Sequence, residues 1–224
     1  KKTSNTMTAP LRTIQLERDA IDQLLHYLDA DFENAIDTLA GCKGRIVISG
    51  IGKSAIIAQK IVATLNSTGS PAIFLHAADA IHGDLGMVQQ QDVVIIISKS
   101  GESPEIKVLV PLIKNFGNPV IAIVGNMGSF LAKKADYIIN TTVSQEACPN
   151  NLAPTTSTTA QLVMGDAIAV CLMEKRGFQI QDFAKLHPGG ALGKKLYLRV
   201  ADLYIDNEKP QVKEDQNMKE VLVE

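Results

Sequence analysis

The chain has 224 residues, 24 acidic against 22 basic, and a formal net charge of -2 at pH 7. A chain of that length buries about 70% of its extended surface without staples, and the even charge balance excludes a broad basic field for nucleic acid or other polyanions. Trp is absent and aromatics make up only 4%, which excludes a base-stacking platform, while Cys42, Cys148 and Cys171 fit neither a disulfide framework nor a zinc knuckle and read as reduced thiols.

Residues 1–12 form a polar leader without the apolar stretch of a signal peptide, and no apolar run approaches the length of a membrane span, so the cytoplasm is the expected location. Apolar residues then recur at Ile14, Ile21, Leu24, Leu25, Leu28, Phe32, Ile36 and Leu39, the period of one long helix or two in succession. Short apolar runs follow at 45–49, 71–75, 92–98, 119–125 and 136–141. They lack polar alternation, as parallel strands covered on both faces do. Helical segments fill the gaps at 54–67, 104–116 and 130–135, and two more are expected at 157–175 and 181–185. This repetition predicts an α/β fold, a three-layer sandwich with a doubly wound, five-stranded parallel sheet, over residues 13–198. The stretch SQEACPNNLAPTT at 144–156 is a long loop that needs a reason to exist, and the charged tail at 199–224 is too short for a core of its own.

In such sheets the loops at the carboxyl ends of the strands line the ligand crevice. SGIGKS at 49–54 frees the backbone at Gly50 and Gly52 and sets Lys53 and Ser54 at a helix start. Val47 and Ala55 stand where phosphate-loop and dinucleotide fingerprints require glycine, so no nucleotide cofactor is supported. In SKSGES at 98–103, the hydroxyls of Ser98, Ser100 and Ser103, with Gly101 and the helix-opening Pro104, make a phosphate cradle of neutral donors; the alternative is serines that merely cap a helix. Thr155, Thr156, Ser157 and Thr158 exceed what one cap needs and divide between ligand contact and local hydrogen bonding. Glu105 and Glu146 are either solvated carboxylates or acid–base groups, and His187, flanked by Pro188 and Gly189, either fixes a turn or serves the site. His76 and His82 are six apart with no cysteine beside them, so no metal is expected.

Taken in order, GIGKS, SKSGES, HGDLG, LAPTTSTTA and HPGGALG resemble the sugar isomerase (SIS) domain family, and within it the arabinose 5-phosphate isomerases, over roughly residues 10–198. The resemblance implies an SIS-like, flavodoxin-type sheet and the cofactor-free interconversion of D-ribulose 5-phosphate and D-arabinose 5-phosphate, a step toward the lipopolysaccharide or capsule sugar Kdo. It implies catalysis by Lys53, Glu105, Glu146 and His187, phosphate contacts from Ser100, Ser103 and part of the Ser/Thr run, and a nearby His82 of open role. It further implies a homotetramer with sites built between subunits. The tail at 199–224 looks like the opening of a cystathionine-beta-synthase (CBS) module, as a remnant in a short natural form or in a trimmed chain. Asn150 replaces a usually apolar residue of the family's loop, and with pathway logic it suggests feedback by the nucleotide sugar CMP-Kdo.

The implied reaction moves a proton between adjacent carbons through an enediol-type intermediate. It asks for a carboxylate whose pKa is raised by partial burial. Glu146 is the preferred base because its long loop can close over the sugar, with Glu105 as the alternative. Lys53 and the amides near Gly50 and Gly52 would meet the developing oxygen charge, and His187 would open the aldose ring. The competing readings are an isomerase of a hexulose- or heptose-phosphate and a noncatalytic phosphosugar sensor.

Overall fold

Each of the five apolar runs becomes a strand: β1 (Ile46–Gly50), β2 (Ala72–His76), β3 (Val93–Ser98), β4 (Val120–Val124) and β5 (Tyr137–Asn140). The computed structural model describes residues 6–190; the expectation for 199–224 lies outside the described residues. All strand pairs are parallel and lie in the order β2-β1-β3-β4-β5, with Gly50 opposite His76 on one side and Ile97 on the other. Every residue of β1, β3 and β4 is buried, which is why these runs carry no polar alternation.

Alternate strand residues feed two cores. Ile46, Ile48, Ile95, Ile97, Ile121 and Ile123 pack against α2 (Ala30–Gly41), α3 (Lys53–Ser67) and α7 (Thr156–Arg176), together with Leu24 of α1 (Thr8–Leu24). Val47, Val94, Ile96, Val120, Ala122 and Val124 face α4 (Ala77–Ala80), α5 (Pro104–Asn115) and α6 (Phe130–Lys134). These are the three layers expected from the sequence, and the strand order is the flavodoxin-like one.

Several details sharpen or change the sequence reading. The first helix starts at Thr8, inside the span read as leader, because Pro10 falls in a first turn that needs no N–H from it. The periodic stretch 14–39 resolves into two helices, broken by a 3-10 turn at Leu25–Tyr27 and restarted where the Asp29 side chain accepts the Phe32 N–H at 3.1 Å. Short α4 and a 3-10 turn at Asp84–Met87 occupy a region with too few residues to display a period. Contrary to the absence of any span-like run, α7 has the length and hydropathy of a spanning helix. Its Ala160, Met164, Ile168 and Leu172 are consumed in the core, and its Asp166 pairs with Lys60 of α3.

The chain divides into two compact units between Phe178 and Gln179. The second begins with α8 (Ile180–Leu186), whose start is closed by reciprocal Gln179 and Asp182 capping bonds.

The α3–α7 contact depends on Gly165, where an added Cβ would stand 2.3 Å from Ile61 Cδ1 and 2.4 Å from its Cγ1. Gly165→Val should therefore destabilise the fold by about 1–3 kcal/mol despite the better helix propensity of valine, read as a lowered midpoint in denaturant unfolding. An unchanged midpoint would mean that the two helices can part without cost.

Candidate active site

Strands β1 and β3 are neighbours, yet the helices that follow them cover opposite faces: α3 packs into the first core and α5 into the second. Their connecting loops must diverge, and a crevice opens at the carboxyl edge between Gly50 and Ser98. SGIGKS and SKSGES, which are 49 residues apart at their first serines, thereby flank one site.

The 98–103 turn is rigidly built. Gly101 has φ 65, and a Cβ there would meet Ser129 Oγ at 2.2 Å, so glycine is required for the turn to pass under α6. Its carbonyl accepts the Leu131 N–H at 3.1 Å. Glu102 staples the same turn from outside, accepting the Phe130 N–H at 2.6 Å and pairing with Lys107 at 2.7 Å. Ser98 Oγ accepts the Gly101 N–H at 3.0 Å and Ser100 Oγ the Glu102 N–H at 3.3 Å, which leaves both hydroxyl protons to donate elsewhere. Ser103 stands at the N-cap of α5 but its side chain caps nothing; its Oγ is buried and has no hydrogen-bond partner. Capping alone does not account for this serine.

The other expected residues of the first unit take the following places. Gly50 ends β1, Gly52 takes φ 59 at the α3 N-cap, and Lys53 opens that helix exposed to solvent. Ser54 Oγ donates to Gln161 Oε1 at 3.2 Å and so ties α3 to α7. Glu105 is half-buried in the first turn of α5. Thr155 holds the N-cap position of α7, and Thr158 Oγ1 donates locally to the Thr155 carbonyl at 2.8 Å. Thr156 Oγ1 is buried without a partner, and so are Ser49 Oγ and Thr141 Oγ1 at the ends of β1 and β5. His82 is exposed in the turn after α4. His187 belongs to the second unit, where its ring stacks on Phe183 at 3.8 Å and its Nδ1 lies 2.8 Å from the Phe183 carbonyl oxygen. Among the described residues no group of three or more His, Cys, Asp or Glu side chains could hold a metal.

Glu146 departs most from expectation. It is 2% exposed and its Oε2 accepts the Thr155 N–H at 2.8 Å, the Thr155 hydroxyl at 3.2 Å and the Ser157 N–H at 3.1 Å. Its Oε1 pairs with Lys99 Nζ at 2.7 Å. Thr155 Oγ1 also accepts the Ala147 N–H at 2.9 Å, and Asn151 Oδ1 accepts the Glu146 N–H at 2.7 Å, so the 144–155 loop is knotted onto α7. Burial pushes the carboxyl up, but the Lys99 ammonium and the Ser157 and Thr155 donors outweigh it and hold the pKa at about 2. The carboxyl is thus held below its ordinary range and not raised by burial, because Lys99, 47 residues away in the chain, and the amides of Thr155 and Ser157 supply donors that no local pattern shows. Lys99 itself was passed over as a lone lysine between serines, and Gln161, Ser49 and Thr141 gave no local signal.

Residues 38–171 match the family model of the SIS domain. The chain is 52% identical over 202 residues to arabinose 5-phosphate isomerase KdsD of Pseudomonas aeruginosa, covering 90% of this chain and 62% of that protein. It is 49% identical over 212 residues to KdsD of Escherichia coli K12, covering 94% and 65%. The chain therefore spans somewhat less than two thirds of the length of these curated relatives. Among solved structures, c3406 of E. coli CFT073 in complex with arabinose 5-phosphate superposes with a TM-score of 0.79 at 39% identity, covering 84% of this chain and all of that one.

The Glu146 assignment has a pH signature. Its folded pKa of about 2 lies below the ordinary 4.5, so its stabilisation is complete above about 4.5 and is lost as pH falls toward 2. In thermal melts, the deficit of Glu146→Gln relative to the parent should be largest near neutral pH and shrink across that acid window. A deficit that stays constant down to about pH 2 would show that Glu146 is not held ionised in the fold.

Proposed function

The chain belongs to the SIS domain family, and on that premise we propose that it interconverts D-ribulose 5-phosphate and D-arabinose 5-phosphate through an enediol-type intermediate. The observation that carries this reading is the set of buried hydroxyls without partners at the carboxyl edge, on Ser49, Ser103, Thr141 and Thr156. Each such hydroxyl costs about 1–3 kcal/mol when left unsatisfied, so hydroxyls of this kind in the loops after the strands favour an occupant that accepts hydrogen bonds. A phosphate at the 98–103 turn meets Ser103, the outward protons of Ser98 and Ser100, and the free amides that open α5.

With the phosphate anchored there, the sugar extends along the crevice toward Gly50, Gly52 and Lys53. Lys53 supplies the cation for the enediolate oxygen. Glu146, with a pKa of about 2 and donors on both carboxylate oxygens, is a weak base for taking a proton from carbon, so the base role passes to the half-buried Glu105 of α5, the alternative of the two carboxylates. His187 remains the candidate for ring opening, and the tetramer implied by the resemblance is the setting in which a residue of another subunit would reach the sugar. Leu11 and Ile14 of α1, 64% and 66% exposed, and Leu25, 70% exposed, offer apolar surface for such an assembly. The cytoplasmic location accords with three free cysteines. A CMP-Kdo feedback ligand rests on pathway logic and on Asn150, which is exposed, and calorimetry without heat on its addition would remove it.

The purified chain should convert five-carbon phosphates in preference to six- and seven-carbon ones and exchange substrate hydrogen with deuterated water. Binding without exchange would identify a sensor instead. Ser103→Ala should raise KM about tenfold or more through loss of one charge-assisted bond. Glu105→Gln should lower kcat about a hundredfold to ten-thousandfold with little change in KM; a smaller loss there than in Glu146→Gln would return the base role to Glu146.

A further inference from the structure

Lys99 sits between Ser98 and Ser100, inside the turn proposed to hold phosphate, and its carbonyl accepts the Gly125 N–H at 3.1 Å, which fixes its backbone against the end of β4. Its neighbours Ser98 and Ser100 are occupied within the turn, but its own side chain leaves the turn and reaches Glu146 in the 144–155 loop. The pair is asymmetric: the Lys99 side chain is 43% exposed and the Glu146 side chain 0%. An ion pair between two exposed groups contributes about 0–1 kcal/mol, whereas removing the cation from a buried carboxylate leaves a charge that water cannot reach. Lys99 is therefore more than a surface ornament to the loop.

A lysine ammonium carries three donors. Glu146 Oε1 takes one, and with the side chain 43% exposed the others remain accessible from solvent. We propose that Lys99 is a positioning residue that couples the two halves of the site: it shares its ammonium between Glu146 and a phosphate bound at 98–103, so that an occupied turn tightens the 144–155 loop onto α7. This rests on the phosphate reading of the 98–103 turn and on no assignment of the carbon base. The physical basis is that a dianion beside Lys99 strengthens the local order of the ammonium, which in turn fixes the carboxylate that accepts the Thr155 and Ser157 amides. It makes Glu146 the fixed arm of the coupling and Lys99 the ligand-responsive one.

Hydrogen–deuterium exchange of the full chain, resolved by peptide, tests this with inorganic phosphate as the probe. In the parent, phosphate should slow exchange across 144–157 by at least threefold or so, while peptides from 30–50 serve as the reference for global opening. In Lys99→Gln the same segment should exchange about tenfold faster and phosphate should no longer slow it, while Lys99→Arg, which keeps a cationic donor, should restore both behaviours. Unchanged exchange in Lys99→Gln overturns the proposal. So does faster exchange that phosphate still slows as in the parent, since Lys99 would then anchor the loop without coupling it. Equilibrium dialysis separates the two levels: a parent that binds no phosphate overturns the reading of the turn itself, whereas binding with unresponsive exchange overturns the coupling alone.

Discussion

The adjacency of β1 and β3, with their following helices on opposite faces, is the constraint from which the rest of the site follows. A parallel sheet in this order has one place where consecutive crossovers turn away from each other, and the backbone there cannot be covered by either helix. Gly50 lets the chain turn tightly from β1 into α3: an added Cβ would meet the Ser54 backbone at 3.0 Å. The same gap leaves the amides that open α3 and α5 facing a common space, so the fold supplies donors there before any side chain is counted.

Glu146 illustrates how burial and bonding compete at such an edge. A buried carboxyl in an apolar pocket becomes a base, but one at the start of a long helix with a lysine opposite becomes a permanent anion. The α7 amides, the Thr155 hydroxyl and Lys99 place Glu146 firmly in the second class. Held in this way, Glu146 ties the 144–155 loop to the start of α7. The polar residues at the opposite end of the sheet follow the same rule with a purely structural result: Asp92, 1% exposed, accepts the Arg45 and Gln89 amides at 2.7 and 2.9 Å and pairs with the Arg45 guanidinium, pinning β1 to β3.

Membership of the SIS family is shown by the match over residues 38–171, and the relatives named arabinose 5-phosphate isomerase, some 50% identical, are longer proteins of which this chain spans somewhat less than two thirds. The orphaned hydroxyls and the rigid 98–103 turn are properties of the chain itself and support the proposed substrate class independently.

The sequence by itself determined the layers, the strands to within a residue or two, and the loops that carry the chemistry, because apolar runs buried on both faces and glycine–serine turns are local signals. It also set Ser103 and Glu105 at the start of a helix, where the structure has them at the N-cap and in the first turn of α5. Only the tertiary structure decided that α1 begins at Thr8, that Gly165 of α7 must accept Ile61, and that Lys99 closes on Glu146 across 47 residues of chain. The physical reason is the range of the interactions: helix and strand preferences act within a few residues, whereas the charge state of a buried carboxylate depends on whichever distant donors the crossovers bring to it.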